Sequence, residues 1–390
     1  MRVADLLGRE PFGAILERTL SAYWSAVSGR PVDVFWKGQG PEGQEWRGNT
    51  YLNFFCTPDV DSACFENIVR EFSHARAWWR RGVQAAYVRA AIQPPIRKWL
   101  AQVHFRVSRD IPDANQQLLI GGRNRFRIIR PSAGESVVIA KDGFPRQGFR
   151  REVAAREGYA KAVAPKFLGI RAHGMAFAEA YFVGTPANRL PSPLASQARH
   201  DACQKLVEAV HRPTLRNLLI SEYGAQLAVT LSELSSAAGA QAQLLVDWAE
   251  RVCGSAPIGL ALTHGDFQNG NILVTEHDLR IIDWETATER SQLYDLVTLS
   301  ADIRLAADGF ETWRQTVTHW LECPEQVPQL LVPIDGRGSL LGHAVVWWLE
   351  EAIFQLEEAR TGFQADPVAS DQSVATGLSQ AHQFLEMLAG

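Results

Sequence analysis

Lysine is scarce in this chain, with only Lys37, Lys98, Lys141, Lys161, Lys166 and Lys205 among 39 basic residues. A lysine at the exit of a strand is therefore a marked position. No run approaches the roughly 18 consecutive apolar residues of a membrane-crossing helix. Arg2, Asp5, Arg9 and Glu10 interrupt the N-terminus where a secretory leader is apolar. The expected location is the cytoplasm. Cysteine is sparse too: Cys56, Cys64, Cys203, Cys253 and Cys323 are odd in number and form no Cys-x-x-Cys pair, which leaves free thiols as the expectation. Internal repeats and low-complexity tracts are absent.

What is present is an ordinary globular composition, 46% hydrophobic and 21% charged over 390 residues, with room for two or three domains. The net charge of −4 hides an asymmetry, because residues 1–150 hold 22 Lys plus Arg against 14 Asp plus Glu, whereas residues 301–390 hold 4 against 13. A basic front suits an anionic ligand, and an acidic rear suits a cationic or neutral one.

The densest polar pattern lies between Ala261 and Glu285. His264-Gly265-Asp266 is followed by Asn271 and an apolar run, Ile272 to Val274; Glu276 to Asp278 reverses the chain, Leu279 to Ile282 is a second apolar run, and Asp283 stands at its exit. This reads as a short hairpin with Asp266 and Asn271 at its entrance. Phosphoryl transfer to a hydroxyl needs one carboxylate to orient the hydroxyl and accept its proton, and separate oxygen ligands to hold magnesium on a triphosphate. Asp266 suits the first task and Asn271 with Asp283 the second, in the order of the protein-kinase signature.

These residues, with Ile282-Asp283-Trp284-Glu285, resemble the Brenner-type motif and metal-binding segment of the aminoglycoside phosphotransferase and choline kinase superfamily, protein-kinase-like enzymes acting mostly on small molecules. Gly265 stands where most protein kinases carry Arg, which implies that no phosphorylated activation loop is read. The resemblance spans roughly residues 118–300 and implies an α+β, bilobal protein-kinase-like fold, with a small β-rich N-lobe and a larger, mostly helical C-lobe. Residues 1–115 would then be an extra N-terminal α/β extension, 116–183 the N-lobe to the hinge, and 184–390 the C-lobe with the hairpin and acceptor pocket.

The same resemblance implies ATP and Mg²⁺ as cofactors and distributes further roles. Gly121 and Gly122 would turn over the ATP phosphates, and Lys141, at the exit of the apolar strand Val137 to Ala140, would pair with the α- and β-phosphates. A Glu from the helix Phe149 to Lys161 should hold that Lys, with Glu152 preferred and Glu157 left open. Met175 to Val183 reads as the strand into the hinge, where backbone groups near Glu179 and Tyr181 would pair with adenine. Glu285, beside the metal Asp, is assigned to the acceptor, and Asp295 braces the catalytic loop.

The implied reaction moves the γ-phosphate of ATP to a hydroxyl of a sugar, aminosugar or amino alcohol. Two alternatives stay open: a larger anionic glycan as acceptor, and a non-catalytic module that binds nucleotide or a partner. Residues 70–109 concentrate Arg70, Arg76, Arg80, Arg81, Arg89, Arg97, Lys98, Arg106 and Arg109 among Trp78, Trp79 and Trp99. Such interleaving suits an anionic glycan or a peripheral membrane contact, although a packed cap with the tryptophans in its core is the commoner outcome; no nucleic-acid partner is expected. Trp347 and Trp348 likewise read as core, and Leu215 to Ala237 as one helix.

Overall fold

The computed structural model describes residues 2–37, 40, 42–71, 78–253, 255–301, 308–361 and 367–389, so Arg76 lies outside the described residues. The chain divides into two compact units, the first built from residues 1–149, 164–185 and 273–280, the second from 150–163, 186–272 and 281–390.

The first unit begins with α1 (Val3–Arg9) and α2 (Phe12–Ser28). Phe12, Ile15, Leu16, Thr19, Leu20, Tyr23 and Trp24 recur at helical spacing along α2 and all are buried, so this helix has one face that must be covered. It ends at Gly29, whose left-handed backbone (φ 66°) lets its N–H donate to Ser25 O. What covers the helix is a nine-stranded antiparallel sheet. Its strands are β1 (Val34–Trp36), β2 (Gln44–Asn49), β3 (Phe54–Cys56), β4 (Val103–Val107), β5 (Leu118–Gly121), β6 (Arg125–Arg130), β7 (Glu135–Ala140), β8 (Phe167–Arg171) and β9 (Ala176–Ala180), in the order β1-β4-β2-β3-β5-β6-β7-β9-β8. Residues 1–115, read from the sequence as an extension, thus supply four strands and the covering helices of the same sheet that holds 118–180.

Strand register divides β6, β7 and β9 into two faces, since antiparallel partners share a face and neighbours along a strand alternate. Phe126, Ile139 and Ala176 align on one face with Ile128, Val137 and Ala178, and all six belong to the core under α1 and α2. The other face aligns Arg127, Val138 and Phe177, and next to them Ile129, Ser136 and Glu179. Phe149, in the first turn of α6 (Gln147–Glu157), lies 5.5 Å from Phe177 on this second face.

The segment after β3 forms a short 3-10 turn, then α3 (Glu66–Glu71), α4 (Trp78–Ile92) and α5 (Pro94–Leu100). Here the expectation of buried tryptophans is corrected for Trp79 and Trp99, which are 54% and 87% exposed, while the Trp78 side chain lies outside the described residues. α4 packs on the sheet through Val88 and Ala91, which join Phe54, Cys56 and Leu118 in one core, and in α5 Arg97 is buried with its guanidinium donating to Pro58 O.

A small sheet of order β10-β13-β14 contains β10 (Thr185–Pro186), β13 (Ile272–Val274) and β14 (Leu279–Ile281), the last two being the hairpin read from the sequence. Its turn closes through Thr275, whose N–H donates to Asp278 O while its Oγ1 accepts from Asp278 N–H.

The second unit holds α7 (Ser192–Leu206), α8 (Arg212–Thr214), β11 (Arg216–Leu219), α9 (Ile220–Leu234), α10 (Ser236–Cys253), β12 (Pro257–Thr263), β15 (Thr288–Ser291), α11 (Gln292–Ser300), α12 (Gly309–Glu322), α13 (Gly336–Thr361) and α14 (Pro367–Ala389). Its core gathers Trp248, Trp313, Trp347 and Trp348, so the last two are core as expected. The single helix expected from Leu215 is instead a strand followed by α9, because residues 216–219 pair with β12 in the sheet β11-β12-β15. Tertiary pairing overrides local propensity there. With its sheet-rich first unit and helical second unit, the protein has the expected α+β class.

Candidate active site

The candidate catalytic loop leaves β12 at His264 and is tied down before it reaches Asp266. Thr263 pairs with Thr288 of β15, and α11 follows directly, which brings Asp295 back beside the loop. Asp295 is fully buried, and its carboxylate accepts from His264 N–H at 2.7 Å and Gly265 N–H at 2.9 Å, with His211 Nε2 at 3.1 Å. Burial alone would raise its pKa, but the His211 hydrogen bond and charge, with His264 and the Gly265 N–H, outweigh burial and hold the carboxyl below its usual range. This is the geometry of a brace. Gly265 has φ +82°, and a Cβ there would strike Thr286 O and the Arg290 guanidinium, so glycine is required.

His264 links the loop to the segment that carries Asp283. Its Nδ1 accepts from Asp266 N–H at 3.2 Å, which leaves Nε2–H to donate to Ile282 O at 2.8 Å, while its ring packs edge-on against Trp284. Asp266 Oδ2 accepts from Gln268 Nε2 at 2.9 Å and from Asn271 Nδ2 at 3.1 Å, and the same Asn271 Nδ2 donates to Asp266 O at 2.9 Å. With its amide N–H groups turned to Asp266, Asn271 keeps Oδ1 as the atom for a cation. Asn271 O in turn accepts from Ile282 N–H at 2.9 Å, so Asp283 follows within one residue of the loop. Asp283 adopts a left-handed backbone (φ 72°, ψ 59°), an uncommon state for a residue with a Cβ that concentrates at functional sites. Glu285 sits in the short 3-10 turn Trp284–Thr286, half-buried.

The structure thus brings Asp266, Asn271 and Asp283 into one hydrogen-bonded segment. Among the described residues, no three acidic, His or Cys side chains cluster as a self-sufficient metal site. Magnesium characteristically takes one or two protein carboxylates and completes its shell with water and phosphate oxygens. An Asn oxygen and one Asp fit that habit.

The residues expected on the nucleotide side fall differently. Lys141 is on the α2 face of the sheet, where its Nζ meets Glu10 Oε1 at 2.5 Å and lies 5.1–5.5 Å from the rings of Phe12, Phe126 and Phe144. Its side chain is 0% exposed and that of Glu10 3%. Burial pulls the Lys141 pKa below the usual lysine range, against the raising effect of Glu10. The pairing of Lys141 with Glu152 is therefore corrected: the partner is Glu10, and Glu152 pairs with Arg156 at 3.2 Å on α6. The alternation of β7 explains the outcome, because Lys141 continues the parity of Val137 and Ile139.

Gly121 is accounted for by helix α1, since a Cβ there would stand 2.8 Å from Val3 Cγ2, and its carbonyl accepts from Asn53 Nδ2. Gly122 makes a tight turn in which a Cβ would lie 2.8 Å from Arg125 O. Tyr181 N–H donates to Gly134 O, and Glu179 lies inside β9 with β7 and β8 on its two sides, so these groups are engaged within the sheet; the Glu179 carboxylate pairs with Arg127. Glu10, Arg127 and His211 were missed in the sequence. Glu10 and Arg127 carry no local motif, and His211 is recognisable only through Asp295.

Residues 207–329 match the phosphotransferase enzyme family, a stretch that includes the whole segment of Asp266, Asn271 and Asp283 and agrees with the resemblance read from the sequence. Among solved structures, aminoglycoside phosphotransferase APH(4)-Ia is similar at 16% identity, covering 69% of this chain and 93% of its own, with a TM-score of 0.45. A choline/ethanolamine kinase family protein from Mesorhizobium loti is similar at 18% identity, covering 78% and 95%, with a TM-score of 0.42. Choline kinase LicA from Streptococcus pneumoniae is similar at 12% identity, covering 70% and 92%, with a TM-score of 0.39. No curated protein matches the chain.

Proposed function

We propose that the protein is an ATP-dependent phosphotransferase that delivers the γ-phosphate to a hydroxyl of a sugar, aminosugar or amino alcohol. The observation that carries this reading is the hydrogen-bonded run from His264 to Asp283, lying wholly within the family match. Asp266 is the base: Gln268 and Asn271 fix its Oδ2, so the carboxylate is held to meet an acceptor hydroxyl without reorganising. The acceptor oxygen bonds to the γ-phosphorus as the bond to the β–γ bridging oxygen breaks; ADP leaves with that electron pair, and the hydroxyl proton passes to Asp266. Asn271 Oδ1 and the Asp283 carboxylate would hold magnesium, which when bound neutralises charge on the phosphate oxygens. Glu285, two residues beyond Asp283, is assigned to the acceptor.

The test is ATP consumption across amino alcohols, monosaccharides, aminoglycosides and oligosaccharides, with Asp266→Asn as control. The variant keeps size and hydrogen-bonding reach but loses the proton acceptor, so turnover should fall about 10²- to 10⁴-fold with nucleotide affinity unchanged. Wild-type turnover in Asp266→Asn overturns the assignment.

A second reading, a larger anionic glycan as acceptor, is favoured by the exposed Trp79 and Trp99 with the exposed Arg80, Arg81 and Lys98 on α4 and α5. Aromatic faces with neighbouring cations suit charged saccharides, and also the headgroups of a peripheral membrane contact. Charged oligosaccharides in the same panel, with anionic vesicles as a binding control, separate the two. No helix among the described residues is long and apolar enough to cross a membrane.

A further inference from the structure

We propose that Arg127, held by Glu179, is the cation that meets the nucleotide phosphates, in the place that the resemblance gives to Lys141. The inference rests on the phosphotransferase reading. It starts from the two faces of the sheet. One is sealed by α1 and α2, with Val137, Ile139, Phe126 and Ile128 at most 1% exposed, and Lys141 is sequestered there by Glu10. A triphosphate has no access to that ammonium without removal of the N-terminal helices.

The opposite face carries Arg125 beside Arg127, with Ser136 and Glu179, on an otherwise apolar surface. Arg127 Nη1 donates to Glu179 Oε1 at 2.7 Å, with the Glu179 side chain 1% and that of Arg127 28% exposed. Ser136, aligned with Glu179 across β7 and β9, is 1% exposed, and its Oγ has no hydrogen-bond partner among the described residues. A buried hydroxyl without a partner is a cost that native folds seldom leave standing, and a ligand atom removes it.

Arg127 and Glu179 also have the right division of labour. A buried carboxylate fixes one edge of the guanidinium, and the planar fork keeps further N–H donors for a phosphate, which an arginine engages bidentately. That is the work expected of a strand lysine and its bracing glutamate, transferred to β6 and β9. Arginine is also the common cation of this chain. Arg127 partners Val138 across the ladder, so the charge stands on the neighbouring strand, three residues back along the ladder from Lys141 and on the opposite face.

The experiment measures Mg·ATP and AMP affinity of the full-length protein by calorimetry, for the wild type, Arg127→Met, Arg127→Lys and Lys141→Met, each checked for folding by circular dichroism. Arg127→Met should weaken ATP about tenfold to a hundredfold, the range of a charged hydrogen bond. AMP should change less than ATP, and Arg127→Lys should recover part of the loss. Lys141→Met, folded at the assay temperature, should bind ATP as the wild type does. ATP binding unchanged in Arg127→Met, or lost in Lys141→Met alone, overturns the inference while leaving the phosphotransferase reading intact. A wild-type protein that binds neither nucleotide overturns both.

Discussion

Removing the Lys141 ammonium should destabilise the protein without touching nucleotide binding, and the size of the effect follows from the surroundings of that one group. Its side chain is fully buried, 2.5 Å from a Glu10 carboxylate that is itself 3% exposed. Lys141→Met strands the Glu10 charge in the core, and breaking one side of a buried pair costs roughly 3–5 kcal/mol. Glu10→Leu should cost a similar amount by stranding the ammonium. The double variant strands nothing, and the new thioether lies among Phe12, Phe126 and Phe144, where sulfur–aromatic contact contributes about 0.3–1.5 kcal/mol. It should therefore lie within about 2 kcal/mol of wild type, giving a coupling energy of about 3 kcal/mol or more. Urea unfolding of the four proteins, followed by tryptophan fluorescence, yields the cycle. A coupling below about 1 kcal/mol, or a Lys141→Met protein as stable as wild type, would refute the buried-pair account.

Three other outcomes are expected. Asp283→Ala should abolish Mg²⁺-dependent nucleotide binding, read by titrating nucleotide with and without the metal; unchanged Mg²⁺ dependence would move the metal role to Glu285. Deleting residues 1–110 should leave the first unit unable to fold, because α1, α2 and β1 to β4 belong to its sheet and core; a soluble truncation with a sharp unfolding transition would contradict this. Glu350 is fully buried, accepting from Tyr223 Oη and from Ser291 N–H and Oγ, and burial pushes its pKa up to about 7 against those bonds. The folded protein keeps this proton up to that pH while the unfolded chain loses it near 4.5, so stability should fall by about 3 kcal/mol as pH rises between the two values. Glu350→Gln should flatten that slope in urea titrations, and an unchanged slope would exclude Glu350 as its source.

The second unit's candidate site was legible because its pattern lies within one short stretch of sequence. His264, Asp266, Asn271 and Asp283 span twenty positions, and the hairpin that separates them is short enough for local pattern to fix their order. Even the bracing role of Asp295 could be anticipated from its place at the start of a helix. The first unit was legible only as a succession of strands. Its pairing joins β3 to β5 and β2 to β4 across intervening helices, and such long-range registers have no local signature. The carboxylate that Lys141 found lies 131 residues away, so no window around the lysine could have named it.

A strand lysine means something chemically only once its face is known. The motif Val137 to Lys141 fixes alternation but not which face is open, and that is decided by the apolar stripe of α2 more than a hundred residues earlier. Had α2 been absent, the face carrying Lys141 would be bare and the lysine a natural phosphate ligand; with α2 present, the same side chain is part of a dry core. The opposite face then has to supply any cation the chemistry needs, and Arg127 with Glu179 is the pair found there. Under the proposed reading, nucleotide binding by this unit depends on a one-residue parity, and the N-terminal helices determine its consequence.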